Sequence, residues 1–109
     1  MAVFVYDKTA TPLPVGEGLT RKMMSYGGSL MMTKVQFAPG AIGAAHSHPH
    51  EQVSYVARGR FQVTIAGETQ VLVAGDSFYV PSDAVHGVVA LEEGELIDIF
   101  TPQREDFLK

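Results

Sequence analysis

Three of the four histidines in this chain, His46, His48 and His50, fall within five consecutive residues of the stretch Gly40 to Gly59, GAIGAAHSHPHEQVSYVARG. Imidazole is the commonest side-chain ligand for divalent transition metals. On a strand, His46 and His48 stand in i, i+2 relation and so point to one side. Gln52 adds a carbonyl oxygen of ligand type close by. The fourth histidine, His86, lies far along the chain in a second segment marked by Gly75 and Pro81. A strand-borne metal site needs this i, i+2 spacing, whereas a helix-borne pair would use i, i+4.

A second candidate lies near the C-terminus. The run Leu96-Ile97-Asp98-Ile99-Phe100 is apolar on both faces, the pattern of a strand buried on both sides. Asp98 shares a face with Leu96 and Phe100. A carboxylate buried there needs a partner or a function, because burial without one is costly. The plain alternative is an Asp solvated at the mouth of a barrel. Arg104 is the nearest cation downstream and, by itself, reads as an ordinary surface charge.

The elements that must carry these residues are strands. Helical periodicity is almost missing, and short runs rich in Val, Ile, Phe, Tyr and Thr are punctuated by Gly, Pro and Asp. Val3 to Tyr6 reads as a first strand and Thr9 to Gly18 as a loop. Strands are then predicted over Leu19–Tyr26, Leu30–Phe37, Ile42–His48, Gln52–Ala57, Phe61–Ala66, Thr69–Val73, Ser77–Val80, Val85–Leu91 and Glu95–Thr101. The tail from Pro102 to Lys109 predicts one helical turn with Pro102 near its start. Nine or ten short strands with frequent turns predict an antiparallel sandwich or small barrel. Nothing divides the chain, so residues 1–109 are expected to form a single domain.

Composition narrows the function. The apolar fraction is 46 % and the charged fraction 18 %, values of a soluble globular protein. A net charge of -4 argues against a nucleic-acid binder. The chain has no cysteine, so any metal must use N and O ligands. No signal peptide is recognisable, and no apolar run approaches the roughly 20 residues that span a bilayer. A cytoplasmic protein with neither nucleic-acid nor membrane partners is expected. The tyrosines Tyr6, Tyr26, Tyr55 and Tyr79, and the methionines Met23, Met24, Met31 and Met32, read as core or interface rather than chemistry.

Two motifs carry a resemblance. Gly40, His46, His48, Gln52 and Gly59 form one, over about residues 40–59. Gly75, Pro81, Asp83 and His86 form the other, over about 75–90. Their order and spacing resemble the cupin family, closely from about Gly40 to Ala90. The resemblance implies an all-β jelly-roll barrel whose interior holds one divalent metal. Carried over by position, His46, His48, Gln52 and His86 become its ligands. The sequence departs from the pattern at Gln52, where glutamate is usual, at Asp83, where glycine is usual, and at Ala90, where asparagine is usual. Three neutral imidazoles and an amide leave the full dipositive charge on the metal, which favours an anionic ligand. Glu51 competes with Gln52 but leaves one residue too many before Gly59. His50 and Glu51 are expected at the surface or beside the ligands.

The end LIDIFTPQREDFL and the segment Pro49 to Gln52, PHEQ, resemble the uronate-ketonising cupins of pectin and alginate breakdown, the KdgF type. That group carries a His-His-Gln-His site, with Asp, Phe and Arg at the spacing of Asp98, Phe100 and Arg104. The resemblance implies an enzyme that converts 4,5-unsaturated monouronates to the linear keto form. Its partner would be a small anionic sugar acid. Asp98 would serve as base then acid, and Phe100 would pack on the sugar ring. The metal would bind the carboxylate and ring-side oxygen, and Arg104 would clamp the carboxylate or orient Asp98. The ligand set suits nickel, zinc, iron, cobalt and manganese alike. A homodimer is expected through apolar segments near the N-terminus. The alternatives are a cupin dioxygenase using iron or copper, a non-catalytic sugar-acid-binding cupin, and a storage or structural protein.

Overall fold

The computed structural model describes residues 3–109. Ten strands form two antiparallel sheets. In chain order they are β1 (Leu13–Gly16), β2 (Leu19–Gly27), β3 (Leu30–Phe37), β4 (Ile42–His46), β5 (Glu51–Arg58), β6 (Arg60–Ile65), β7 (Glu68–Val73), β8 (Ser77–Val80), β9 (His86–Ala90) and β10 (Gly94–Thr101). The larger sheet runs β1-β2-β3-β10-β5-β8, and the smaller runs β4-β9-β6-β7. The expected jelly roll is present. The expected closed barrel is not, because hydrogen bonding stops at an edge of each sheet and two sheets face each other instead.

The inner faces meet in one core. Val56, Phe61 and Ala90 are fully buried there, beside Phe37, Val63 and Leu96. The Phe37 and Phe61 rings meet edge to face at 5.0 Å. Gly59 makes the step from β5 into β6 possible. Its φ is +93°, and a Cβ there would lie 2.6 Å from the Glu93 carbonyl oxygen. Any side chain would both strain the turn and collide with the backbone.

Several boundaries correct the sequence reading. Val3 to Tyr6 is not a strand; it leads into a 3₁₀ turn at Asp7–Thr9. The supposed loop at Thr9 to Gly18 contains β1, which pairs with β2. Pro14 is tolerated because β1 is an edge strand with only one partner. β4 ends at His46, so His48 lies just beyond it. The His48 carbonyl instead accepts the Asp83 N–H at 2.8 Å. The C-terminal turn is a 3₁₀ segment at Glu105–Leu108, with Pro102 outside it. Finally, β10 is buried on one face only, since Ile99 is exposed on the other.

Candidate functional site

The i, i+2 pair and His86 converge. His46 on β4 is the cross-strand partner of His86 on β9. Their ring centroids lie 4.4 Å apart, and His48 lies 4.8 Å from His86 and 5.4 Å from His46. One ligand nitrogen from each of the three falls within 4.8 Å of the others. Asp83 holds the turn before His86 at φ +64°. Asp is among the few residues that accept this conformation, which is why it can stand where the family pattern has glycine.

Hydrogen bonds fix which nitrogen each ring offers. The Nδ1 atoms of His46, His48 and His86 face the carbonyl oxygens of Ala44, His50 and Ala84 at 2.9, 3.0 and 3.0 Å. A carbonyl only accepts, so each Nδ1 carries the proton and each Nε2 presents a lone pair. The Nε2 of His86 is buried with no hydrogen-bond partner among the described residues. Burial also pushes the His48 and His86 imidazoles below the ordinary value, which keeps them neutral.

Gln52 completes the cluster in an unusual way. It is buried, and its Nε2 donates to Ser54 Oγ at 2.9 Å. Ser54 Oγ in turn donates to Asp98 Oδ1 at 2.5 Å. The hydroxyl has one proton, so the amide must donate to it, and Gln52 Oε1 therefore faces the other way. It lies 3.0 Å from His48 Nε2. Two lone pairs then confront each other at hydrogen-bond distance. An imidazolium proton would relieve this, but burial disfavours it; a cation bound by both atoms relieves it directly. The donor set thus fits a divalent transition metal held by nitrogen and amide oxygen.

The cluster opens into a cavity of about 260 Å³ between the sheets. His46, Gln52, His86, Asp98, Phe100 and Arg104 all line it. Burial pushes the Asp98 carboxyl up to about 6, against the opposing pull of Ser54 and the Arg104 charge. Phe100 is buried, with its ring 5.8 Å from His48 and 5.7 Å from Phe107. Arg104 does not hold Asp98 through an ion pair. Its Nε and Nη2 grip Asp106 at 3.1 and 2.9 Å, and its guanidinium lies 4.3 Å over the Phe107 ring. Ser54 is what orients Asp98.

His50 and Glu51 stay outside the cluster. His50 Nε2 donates to the Gln103 carbonyl at 3.1 Å and ties the motif turn to the C-terminal tail. Glu51 is exposed and accepts a hydrogen bond from the Tyr79 hydroxyl on the far side of the sheet. Residues the sequence reading passed over are Ser54, Thr33, Arg21, Asp106 and Phe107. Ser54 had a signal, since it follows Gln52 by two residues and so shares its face.

Two facing antiparallel sheets in jelly-roll order, with a histidine cluster where β4 and β9 pair, define the cupin architecture. A cupin-domain family model matches residues 33–100, and the chain belongs to the cupin family, among cupins of the KdgF type. It is 47 % identical over 107 residues to the pectin degradation protein KdgF of Dickeya dadantii, covering 96 % of each chain. The structure of KdgF from Halomonas sp. superposes with a TM-score of 0.93 at 37 % identity, covering 98 % of this chain and 99 % of that one. An RmlC-like cupin from Shewanella frigidimarina superposes with a TM-score of 0.95 at 44 % identity, covering 98 % and 96 %.

Proposed function

We propose that this protein is a metal-dependent, non-redox enzyme that opens 4,5-unsaturated monouronates and ketonises the product. The name of the Dickeya relative, a pectin degradation protein, supports a uronate substrate. The observation that carries the mechanism is the directed chain from Gln52 through Ser54 to Asp98, which joins the candidate ligand set to a carboxylate lining the cavity. The cavity, about 260 Å³, lies just under the ~300 Å³ lower end of small-molecule sites, and so suits a single sugar ring rather than a polymer.

His46, His48, His86 and Gln52 would hold the dication. When bound, it would supply Lewis-acid stabilisation of negative charge on the old ring oxygen. The remaining work falls to the chain's own residues. Asp98 takes the proton of the anomeric hydroxyl as that carbon becomes an aldehyde and its bond to the ring oxygen breaks. The electron pair leaves on the ring oxygen, which is conjugated to the C4–C5 double bond. Asp98 then returns the proton to C4, and C5 becomes a ketone. Atoms and electrons balance with no oxidant. The raised pKa of Asp98, about 6, suits a group that must both accept and release a proton near neutrality. Phe100 supplies an apolar wall for the ring, and Arg104 holds positive charge near Asp98.

No helix among the described residues is long and apolar enough to cross a membrane. The cysteine-free chain suits a reducing compartment, and we place it in the cytoplasm as a homodimer of single-domain subunits. The deciding experiment is incubation with unsaturated galacturonate, following loss of ultraviolet absorbance in air and under argon. Decay that is abolished by a chelator, restored by a divalent metal and indifferent to oxygen is expected. No decay with metal-loaded protein overturns the reading, and decay only in air turns it toward a dioxygenase.

A further inference from the structure

We propose that Arg21, with the Thr33 hydroxyl beside it, is the anchor for the substrate's carboxylate. The inference rests on the uronate reading above and reassigns the carboxylate from Arg104 and the metal. Both residues line the same cavity as Asp98 and the histidines. Arg21 sits on β2 and Thr33 on β3, diagonal neighbours on the inner face: Arg21 pairs with Val35, and Thr33 with Met23. Thr33 is in turn the cross-strand partner of Asp98.

Each of these groups lacks the partner its chemistry requires. Thr33 is fully buried, and its Oγ1 has no hydrogen-bond partner among the described residues. Buried hydroxyls are nearly always satisfied, so an orphan inside a cavity points to a ligand atom. Arg21 is half-buried, and among the described residues no carboxylate lies within ion-pair distance of it. Arg104, the other cation of the cavity, has Nε and Nη2 committed to Asp106. The two guanidiniums flank one ring, Arg21 at 3.7 Å and Arg104 at 4.3 Å from the Phe107 centroid. Stacking fixes the plane of Arg21 while its N–H edge meets no carboxylate among the described residues, the arrangement that receives a carboxylate with two parallel hydrogen bonds.

The placement also suits the reaction. In an unsaturated uronate the carboxylate is borne by C5, the neighbour of the C4 that must be protonated. An anchor on β2 and β3 holds the carboxylate on the strands next to β10, which carries Asp98. Such an anchor holds ground state and transition state alike, so its loss should appear in KM.

The test compares wild type, R21M and R21K on unsaturated galacturonate and on its methyl ester, which has no charge. Metal content and melting temperature are read for each protein. With the acid, R21M is expected to raise KM by about 10- to 100-fold while kcat stays within about threefold. With the ester, R21M and wild type should have the same KM. R21K, which keeps the charge without the fork, should fall between. Binding of saturated D-galacturonate to the protein as purified, followed by NMR titration, should weaken by the same factor. A KM unmoved by R21M, or an equal loss on acid and ester, overturns the assignment. If R21M does not fold, an acid-to-ester preference in R21K equal to that of wild type overturns it. Turnover of the acid by wild type, whatever R21M does, leaves the uronate reading standing; its absence removes that reading first.

Discussion

Ser54 and Asp98 face each other across the pairing of β5 and β10, Oγ to Oδ1 at 2.5 Å. The serine has a single proton, and the carboxylate takes it. Every donor upstream is thereby oriented: the Gln52 amide must point its N–H at Ser54 and its oxygen at His48. One hydrogen bond to a half-buried carboxylate therefore sets the polarity of the Gln52 amide, two groups away. It also explains how a neutral amide can stand where the family pattern has glutamate.

Asp98 should govern the acid limb of the pH profile. Its pKa of about 6 lies above the ordinary 3.8 because burial disfavours the charged form. A base must be ionised, so kcat/KM should fall as pH drops through about 6. Asp98→Asn with metal retained should lower kcat by about 10²- to 10⁴-fold. The same substitution should stabilise the metal-free protein in base. A carboxyl with a raised folded-state pKa contributes stability that is complete below its unfolded value and lost as pH rises through about 6. D98N, always neutral, should melt higher than wild type at pH 8, by about 5 °C or more. The gap should close toward pH 4. Thermal melts at both pH values check this, and a D98N that melts lower at pH 8 contradicts the burial argument.

Gln52→Glu should trade substrate affinity for metal affinity. A glutamate has no proton to give Ser54, whose own proton is committed to Asp98. Two carboxylates would then compete for one hydroxyl. The added negative charge should raise the Asp98 pKa further and move the acid limb to higher pH by about one unit. It should also bind the dication more tightly and the anionic sugar more weakly. The pH profile, a metal titration and KM measure the three effects. An acid limb at the wild-type pH would mean that Ser54 does not couple the two residues.

The part of this architecture readable in advance was the part encoded within short segments. The limits predicted for Leu30–Phe37 and Ser77–Val80 are those of β3 and β8, because apolar alternation and flanking turn residues are local. The histidine cluster was legible for the same reason, since the spacing of two motifs carried it. What depends on register between distant segments was not. Thr33 and Ser54 flank Asp98 only because β10 lies between β3 and β5. Phe107 meets Arg21 only because the tail folds back over the cavity. β1 was hidden by Pro12 and Pro14, which read as loop yet are harmless on an edge. Val3 to Tyr6 misled in the opposite sense, being apolar without a strand to pair with.

Those apolar N-terminal residues bear on assembly. Asp7 Oδ1 accepts from Lys22 at 3.3 Å and from Lys34 at 3.2 Å, cross-strand partners on β2 and β3. This holds the N-terminal segment against the outer face of the larger sheet, leaving Val3, Phe4 and Tyr6 exposed. Across that face, Met32, Ile99, Val53 and Tyr79 form one row spanning β3, β10, β5 and β8. Ile99 and Val53 are exposed at 36 % and 44 %, and Tyr79 at 50 %. A contiguous apolar row at the centre of a sheet, extended by an apolar segment, is what a second copy would cover. Light scattering at micromolar concentration should give twice the subunit mass. Ile99→Glu with Val53→Glu should give the single subunit mass, because two like charges on cross-strand partners would be buried in the contact without a counter-ion. Both side chains point away from the cavity, so turnover per subunit should persist within about twofold. A wild-type protein with the mass of one chain would overturn the dimer, and a charged variant that stays dimeric would place the contact elsewhere.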